Sequence, residues 1–212
     1  MTYFIYFTIF AIGATIGSFC TLAVYRIPLK KDITHERSFC PNCNHRLEFI
    51  DLIPILSYIF LGGKCRYCGK KIRIRYLILE LFAGFITLAI ALSFNINLQK
   101  LEISKYVELA LCILYITGIT IIAGIDKEKK QIELPVLIYN SIVSVAYIIY
   151  LFIVGEANIN RYAIYLFFMF ALFATKIIDK YTKNKRKQPL GFYISIANII
   201  IIIMYNFVMY YG

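Results

Sequence analysis

Long apolar runs separated by short charged clusters divide the chain into six segments, roughly residues 3–25, 76–94, 107–125, 135–154, 161–178 and 190–210. Each approaches the ~20 residues with which an α-helix crosses the hydrocarbon core of a bilayer. The pattern predicts an all-α polytopic membrane protein with about six transmembrane helices. The first run lacks a basic leader and a small-residue cleavage site, so it is read as a retained helix rather than a signal peptide. Residues 26–75 are the one long interruption and predict a small soluble domain between helices one and two. The expected organisation is therefore a first helix at 1–25, a small domain at 26–75 and a membrane domain at 76–212. Gly13 and Gly17 have the small-xxx-small spacing that lets membrane helices approach closely.

Composition sharpens this picture. Hydrophobic residues make up 60% of the 212, and the formal net charge is +11. So basic a chain invites a nucleic-acid reading, but the distribution of charge opposes it. Twenty of the 23 Lys and Arg fall in segments 26–75, 127–130 and 176–187. Cytoplasmic loops of membrane proteins concentrate such residues. With an extracytoplasmic N-terminus, the six-span reading places all three segments inside, and 95–106 and 155–160 outside. The positive balance serves topology and attraction to anionic membrane lipids, and no nucleic-acid partner is expected.

The candidate chemistry begins with cysteine. Cys40-Pro41-Asn42-Cys43 and Cys65-Arg66-Tyr67-Cys68 are separated by 21 residues. Two C-x-x-C turns supply the four thiolates of a tetrahedral Zn²⁺ site. Two disulfides or four free thiols are the alternatives, and a reducing cytoplasm favours zinc. A domain of this size seldom stands on its apolar core alone, so a metal staple is expected. Four protein ligands leave no open position, which makes the expected zinc structural. Asn44 and Gly69 follow the pairs and suit turns that aim backbone N–H groups at sulfur. Cys20 and Cys112 fall within spans and are expected to pack. The apolar stretch Ile50–Tyr58 between the pairs is expected at the membrane surface.

The order of motifs is distinctive. Gly17-Ser18-Phe19-Cys20 leads to Tyr25-Arg26-Ile27-Pro28, then to the first cysteine pair and Asp51-Leu52-Ile53-Pro54-Ile55-Leu56-Ser57-Tyr58. The second pair and Arg75-Tyr76-Leu77-Ile78-Leu79-Glu80 follow. This order resembles the N-terminal half of type IV prepilin peptidases, membrane aspartic endopeptidases that cleave the leader of type IV prepilins and pseudopilins. Many also N-methylate the new N-terminus. The resemblance runs continuously through residues 13–84 and more weakly beyond, and implies a peptidase-like membrane domain at 76–212 in the cytoplasmic (inner) membrane of a prokaryote.

Such an enzyme needs one carboxylate to activate water and one carboxylic acid to protonate the leaving amide. Asp126, at the inner end of the third span and followed by Leu134-Pro135, resembles the first catalytic segment, with Val136 in place of the usual polar residue. The second, Gly-x-Gly-Asp in the family, corresponds to Gly191-Phe192-Tyr193-Ile194, so Tyr193 and Ile194 stand where Gly-Asp is expected. Asp179, at the inner end of the fifth span among Lys176, Lys180 and Lys183, is the replacement within the topology. Glu128 and Glu133 fit binding of a basic leader. Methylation would require S-adenosylmethionine, for which no motif is present. The alternative is a catalytically inactive relative that binds prepilins or the pilus assembly machinery.

Overall fold

The structure, a computed structural model, describes residues 2–35, 37–94, 103–154, 159–182 and 188–211. Seven α-helices are found among them: α1 (Thr2–Arg26), α2 (Leu56–Phe60), α3 (Arg75–Ser93), α4 (Ile103–Lys129), α5 (Leu134–Val154), α6 (Ile159–Tyr181) and α7 (Leu190–Tyr211). All but α2 are long and apolar enough to cross a bilayer, with mean hydropathy between 1.6 and 2.1. The described residues contain no strand, only two isolated bridges, Phe39 with Arg46 and Lys64 with Lys71. The protein is thus an all-α, multi-pass membrane protein, as the hydrophobic pattern predicts. Lys183 and most of the loops expected on the outer face lie outside the described residues.

The chain forms two compact units, Met1–Leu88 and Ala89–Gly212. In the first, α1 and α3 pack through their smallest residues. A Cβ on Gly13 would lie 2.6 Å from the Thr87 side chain, and one on Gly17 would lie 2.6 Å from Ala83 Cβ. Glycine at both positions is what permits the approach. Arg26 ends α1 almost fully buried and reaches the carbonyls of Asp32 and Arg37, which folds the following loop back on the helix end.

In the second unit, α4 packs against α5 and α7, and α6 packs against the same two helices, giving a four-helix arrangement. Its interior is more polar than a lipid-facing surface could tolerate. Glu108 accepts hydrogen bonds from Arg161 and Tyr147, all three buried. Tyr165 stacks edge-on to Tyr115 at 4.8 Å, and Asn198 donates to the Tyr115 hydroxyl at 2.9 Å. Within a membrane such groups face the bundle interior and pair with one another, because hydrocarbon offers no alternative partner.

Two helices outrun their apolar segments. The pattern ends the third span at 125, yet α4 continues to Lys129; it ends the fifth at 178, yet α6 continues to Tyr181. Both extensions carry an aspartate on the buried face, so packing sustains helix where hydropathy falls.

Candidate active site and metal centre

Each cysteine pair sits on a tight knuckle, and the two knuckles share one hydrogen-bond pattern. Cys40 N–H donates to the His45 carbonyl, and Asn44 N–H returns to the Cys40 carbonyl. Correspondingly, Cys65 N–H donates to Lys70, and Gly69 N–H returns to Cys65. Closing the turn requires a left-handed residue after the second cysteine, and Asn44 (φ 55°) and Gly69 (φ 68°) fill that place. Asn tolerates this conformation and Gly adopts it freely.

The knuckles bring Cys40, Cys43, Cys65 and Cys68 together, with all four sulfurs within 4.8 Å of one another and Cys40 to Cys68 at 3.9 Å. None is in a disulfide. Tetrahedral Zn–S bonds of about 2.3 Å place sulfurs about 3.8 Å apart, so the donor set fits a Zn²⁺-sized ion. Backbone N–H donation from Cys43 holds the Cys40 thiol down at about 7 against the opposing effect of burial, with Asn42 and the neighbouring thiols assisting. At Cys68 the Lys70 N–H acts in the same direction, but burial and the other three sulfurs push the thiol up to about 11. Crowded sulfurs that cannot all ionise alone can do so around a cation. Asp51, with a side chain 3% exposed, ties the turn Phe49–Leu52 to the second knuckle by pairing with Arg66 at 2.9 Å and accepting the Tyr67 hydroxyl.

In the second unit the sequence-selected aspartates are both buried, Asp126 at 0% and Asp179 at 1% exposure. Neither faces outward as a helix-end charge would. Asp126 Oδ2 accepts the Phe192 backbone N–H at 3.0 Å, at the start of α7. Asp179 Oδ2 accepts the Ile132 backbone N–H at 3.0 Å, in the turn between α4 and α5. The Ile132 side chain and the Asp126 carboxyl both border Gly191. A Cβ on Gly191 would stand 3.0 Å from Ile132 Cδ1 and 3.2 Å from Asp126 Cγ. Glycine therefore leaves the space in which the Asp126 carboxyl and the Ile132 side chain meet α7.

Cations border this cluster. Lys176 donates to the Ile132 carbonyl, and Lys127 Nζ lies 4.8 Å from the centroid of the Phe192 ring. Glu128 is exposed, and Glu133 is half-buried and accepts from Gln131 at 2.7 Å. Tyr193, at one of the altered motif positions, is exposed, and Ile194 is half-buried. Val136, at the other departure, is buried in α5. The supporting backbone at Ile132 and Phe192 has no sequence signature. Gly191, retained in an otherwise altered motif, is the one residue that points to it.

Residues 11–94 match the family described as the Bacterial Peptidase A24 N-terminal domain. The chain is 40% identical over 81 residues to the prepilin leader peptidase/N-methyltransferase of Myxococcus xanthus, covering 38% of this chain and 24% of that protein. It is 40% identical over 87 residues to the protein of the same name from Vibrio cholerae, covering 37% and 34%. For the Bacillus subtilis protein, also of that name, the figures are 38% identity over 105 residues, covering 50% and 42%. The matched segment thus spans less than half the length of each of these relatives. No solved structure matches. Residues 11–94 are therefore similar to the Bacterial Peptidase A24 N-terminal domain family, in agreement with the resemblance carried by the order of their motifs.

Proposed function

We propose that the protein is a membrane aspartic endopeptidase that removes the leader from type IV prepilins or pseudopilins, with Asp126 and Asp179 as its carboxyl pair. The observation that carries this reading is the burial of both aspartates, Asp179 bonded to the Ile132 backbone and Asp126 bordering Gly191 beside the Ile132 side chain, in a chain whose first segment is similar to prepilin leader peptidases. Hydrolysis of a peptide needs one carboxylate to take a proton from water and one carboxylic acid to give a proton to the amide nitrogen. Each aspartate has its Oδ2 fixed by a backbone N–H, which orients the carboxyl group. In this proposal one of the two carboxyls takes the base role and the other the acid role.

The concentration of Lys and Arg in segments 26–75, 127–130 and 176–187 supports a position for the aspartates and the cysteine domain on the cytoplasmic side of the inner membrane. There a prepilin presents the junction of its basic leader and its apolar helix. Glu128 and Glu133 are suited to meet the leader. A Zn²⁺ ion held by Cys40, Cys43, Cys65 and Cys68 supplies fold rather than hydrolysis, since four protein ligands close its coordination. Methyl transfer, which the relatives' names include, would draw on S-adenosylmethionine and stays outside the proposal.

A second reading has its own support. Tyr193 and Ile194 replace the expected Gly-Asp, and both buried aspartates are spent on backbone N–H groups that they would cap equally well in an inactive protein that binds prepilins or the pilus assembly machinery. Incubating the purified protein with a prepilin in detergent separates the readings. A shortened product that disappears with Asp126→Asn supports the peptidase, and binding without turnover supports the inactive relative.

A further inference from the structure

The two short helices of the cysteine domain are turned the wrong way for water. In the 3-10 turn Phe49–Leu52, the acid Asp51 faces inward, while Phe49, Ile50 and Leu52 are 84%, 58% and 41% exposed. In α2, Tyr58 points inward, its hydroxyl toward the Ile72 carbonyl and its ring against Gly63. Leu56, Ile59 and Phe60 point out, at 49%, 60% and 82% exposure. A water-facing surface inverts this order, and a contiguous apolar patch of this kind marks an interaction site.

Its depth is set by α3. Between the two short helices, Leu56 N–H bonds to the Pro54 carbonyl at 2.6 Å around Ile55, whose φ is 66°. This is a γ-turn of the rare positive-φ form, strained for a β-branched residue. The Ile55 N–H is caught at 2.8 Å by Glu80 Oε2, itself 9% exposed. Glu80 lies five residues into the spanning helix that starts at Arg75, which is about 7–8 Å along its axis. A span of 19 residues has no apolar length to spare, so that distance carries the turn from the headgroups toward the acyl boundary.

We infer that residues 49–60 form an interfacial anchor, with Phe49, Ile50, Leu52, Leu56, Ile59 and Phe60 seated in the bilayer surface and Glu80 as the latch that holds them at that depth. The occupant of the patch is anionic lipid. Residues 26–75 carry eleven Lys and Arg against four Asp and Glu, and a basic apolar segment beside a span binds such a surface through both terms.

The chain contains no Trp, so Phe60→Trp and Phe49→Trp each create a single reporter in the full-length protein. In phosphatidylglycerol-containing vesicles, bromine-labelled acyl chains should quench either reporter at least about twofold, with a blue-shifted maximum and little access for acrylamide. Adding Glu80→Leu to Phe60→Trp should remove at least half of that quenching. Emission as from water, open to acrylamide and indifferent to bromolipid, overturns the anchor. A blue shift that appears only on adding prepilin assigns the patch to substrate, and one that depends on protein concentration assigns it to a second copy; either contradicts the lipid assignment. Quenching that is equal with and without Glu80→Leu removes the latch.

Discussion

Asp126 on α4 and Phe192 on α7 are joined by a 3.0 Å hydrogen bond in which the carboxylate accepts the backbone N–H. The first N–H groups of a helix have no partner of their own, so an aspartate sixty-six residues upstream in sequence seals the start of α7. The same contact fixes the orientation of the carboxyl that the proposed reaction uses.

Gly191 is the residue that makes room for this contact. A methyl group there would press on Asp126 Cγ at 3.2 Å and on Ile132 Cδ1 at 3.0 Å. Gly191→Ala should destabilise the protein by about 1–3 kcal/mol, as overpacking does, and reduce leader cleavage more than that loss explains. Thermal unfolding in detergent, run beside a cleavage assay on the folded fraction, reads both effects.

Asp179 can be tested for more than capping. Asp179→Asn keeps an oxygen for the Ile132 N–H, whereas Asp179→Leu strands that buried donor, at about 1–3 kcal/mol. If Asp179 transfers a proton, the Asn variant should keep near-normal stability and lose cleavage about 100-fold or more. Full cleavage by the Asn variant would reduce Asp179 to a cap.

Four thiols must lose their protons to bind zinc, so the metal-loaded domain binds fewer protons than the empty one. Affinity should therefore rise with pH. Lowering the pH from about 8 to about 6 should speed transfer of zinc to a chromogenic chelator. Cys68, pushed up to about 11 in the metal-free arrangement, holds its proton most firmly. Cys43→Ser or Cys65→Ser should lower both the zinc content by metal analysis and the thermal stability. Purified protein with full stability and no zinc would refute the metal assignment.

The buried Glu108–Arg161 pair gives a prediction independent of activity. Removing one partner leaves a charge inside the bundle and should cost about 3–5 kcal/mol, while Glu108→Leu with Arg161→Met should cost less than either single change. A double-mutant cycle on unfolding in detergent measures the coupling.

The spans and the cysteine cluster are legible in the sequence because each depends on local pattern, a run long enough for hydrocarbon or ligands at fixed spacing. Hydropathy misplaces the ends of α4 and α6 by three or four residues. There helix persists because Asp126 and Asp179 are packed and bonded, which a scale that scores aspartate as polar cannot register. Glu108 and Arg161 meet across 53 residues, and Ile55 meets Glu80 across 25. No local signal announces either pairing. Gly191 is the intermediate case: the motif marks it, and only the fold reveals that its missing side chain is space for Asp126.

Cleavage of a prepilin by the purified protein and by its Asp126→Asn variant is the measurement closest to the central claim. Asparagine retains an acceptor for the Phe192 N–H, so the fold should survive while proton transfer is lost. The wild-type chain should release the leader, and the variant should be slower by about 100-fold or more at matched folding. Undiminished cleavage by Asp126→Asn, or no cleavage by a folded wild-type chain, would contradict the assignment of this protein as an aspartic leader peptidase.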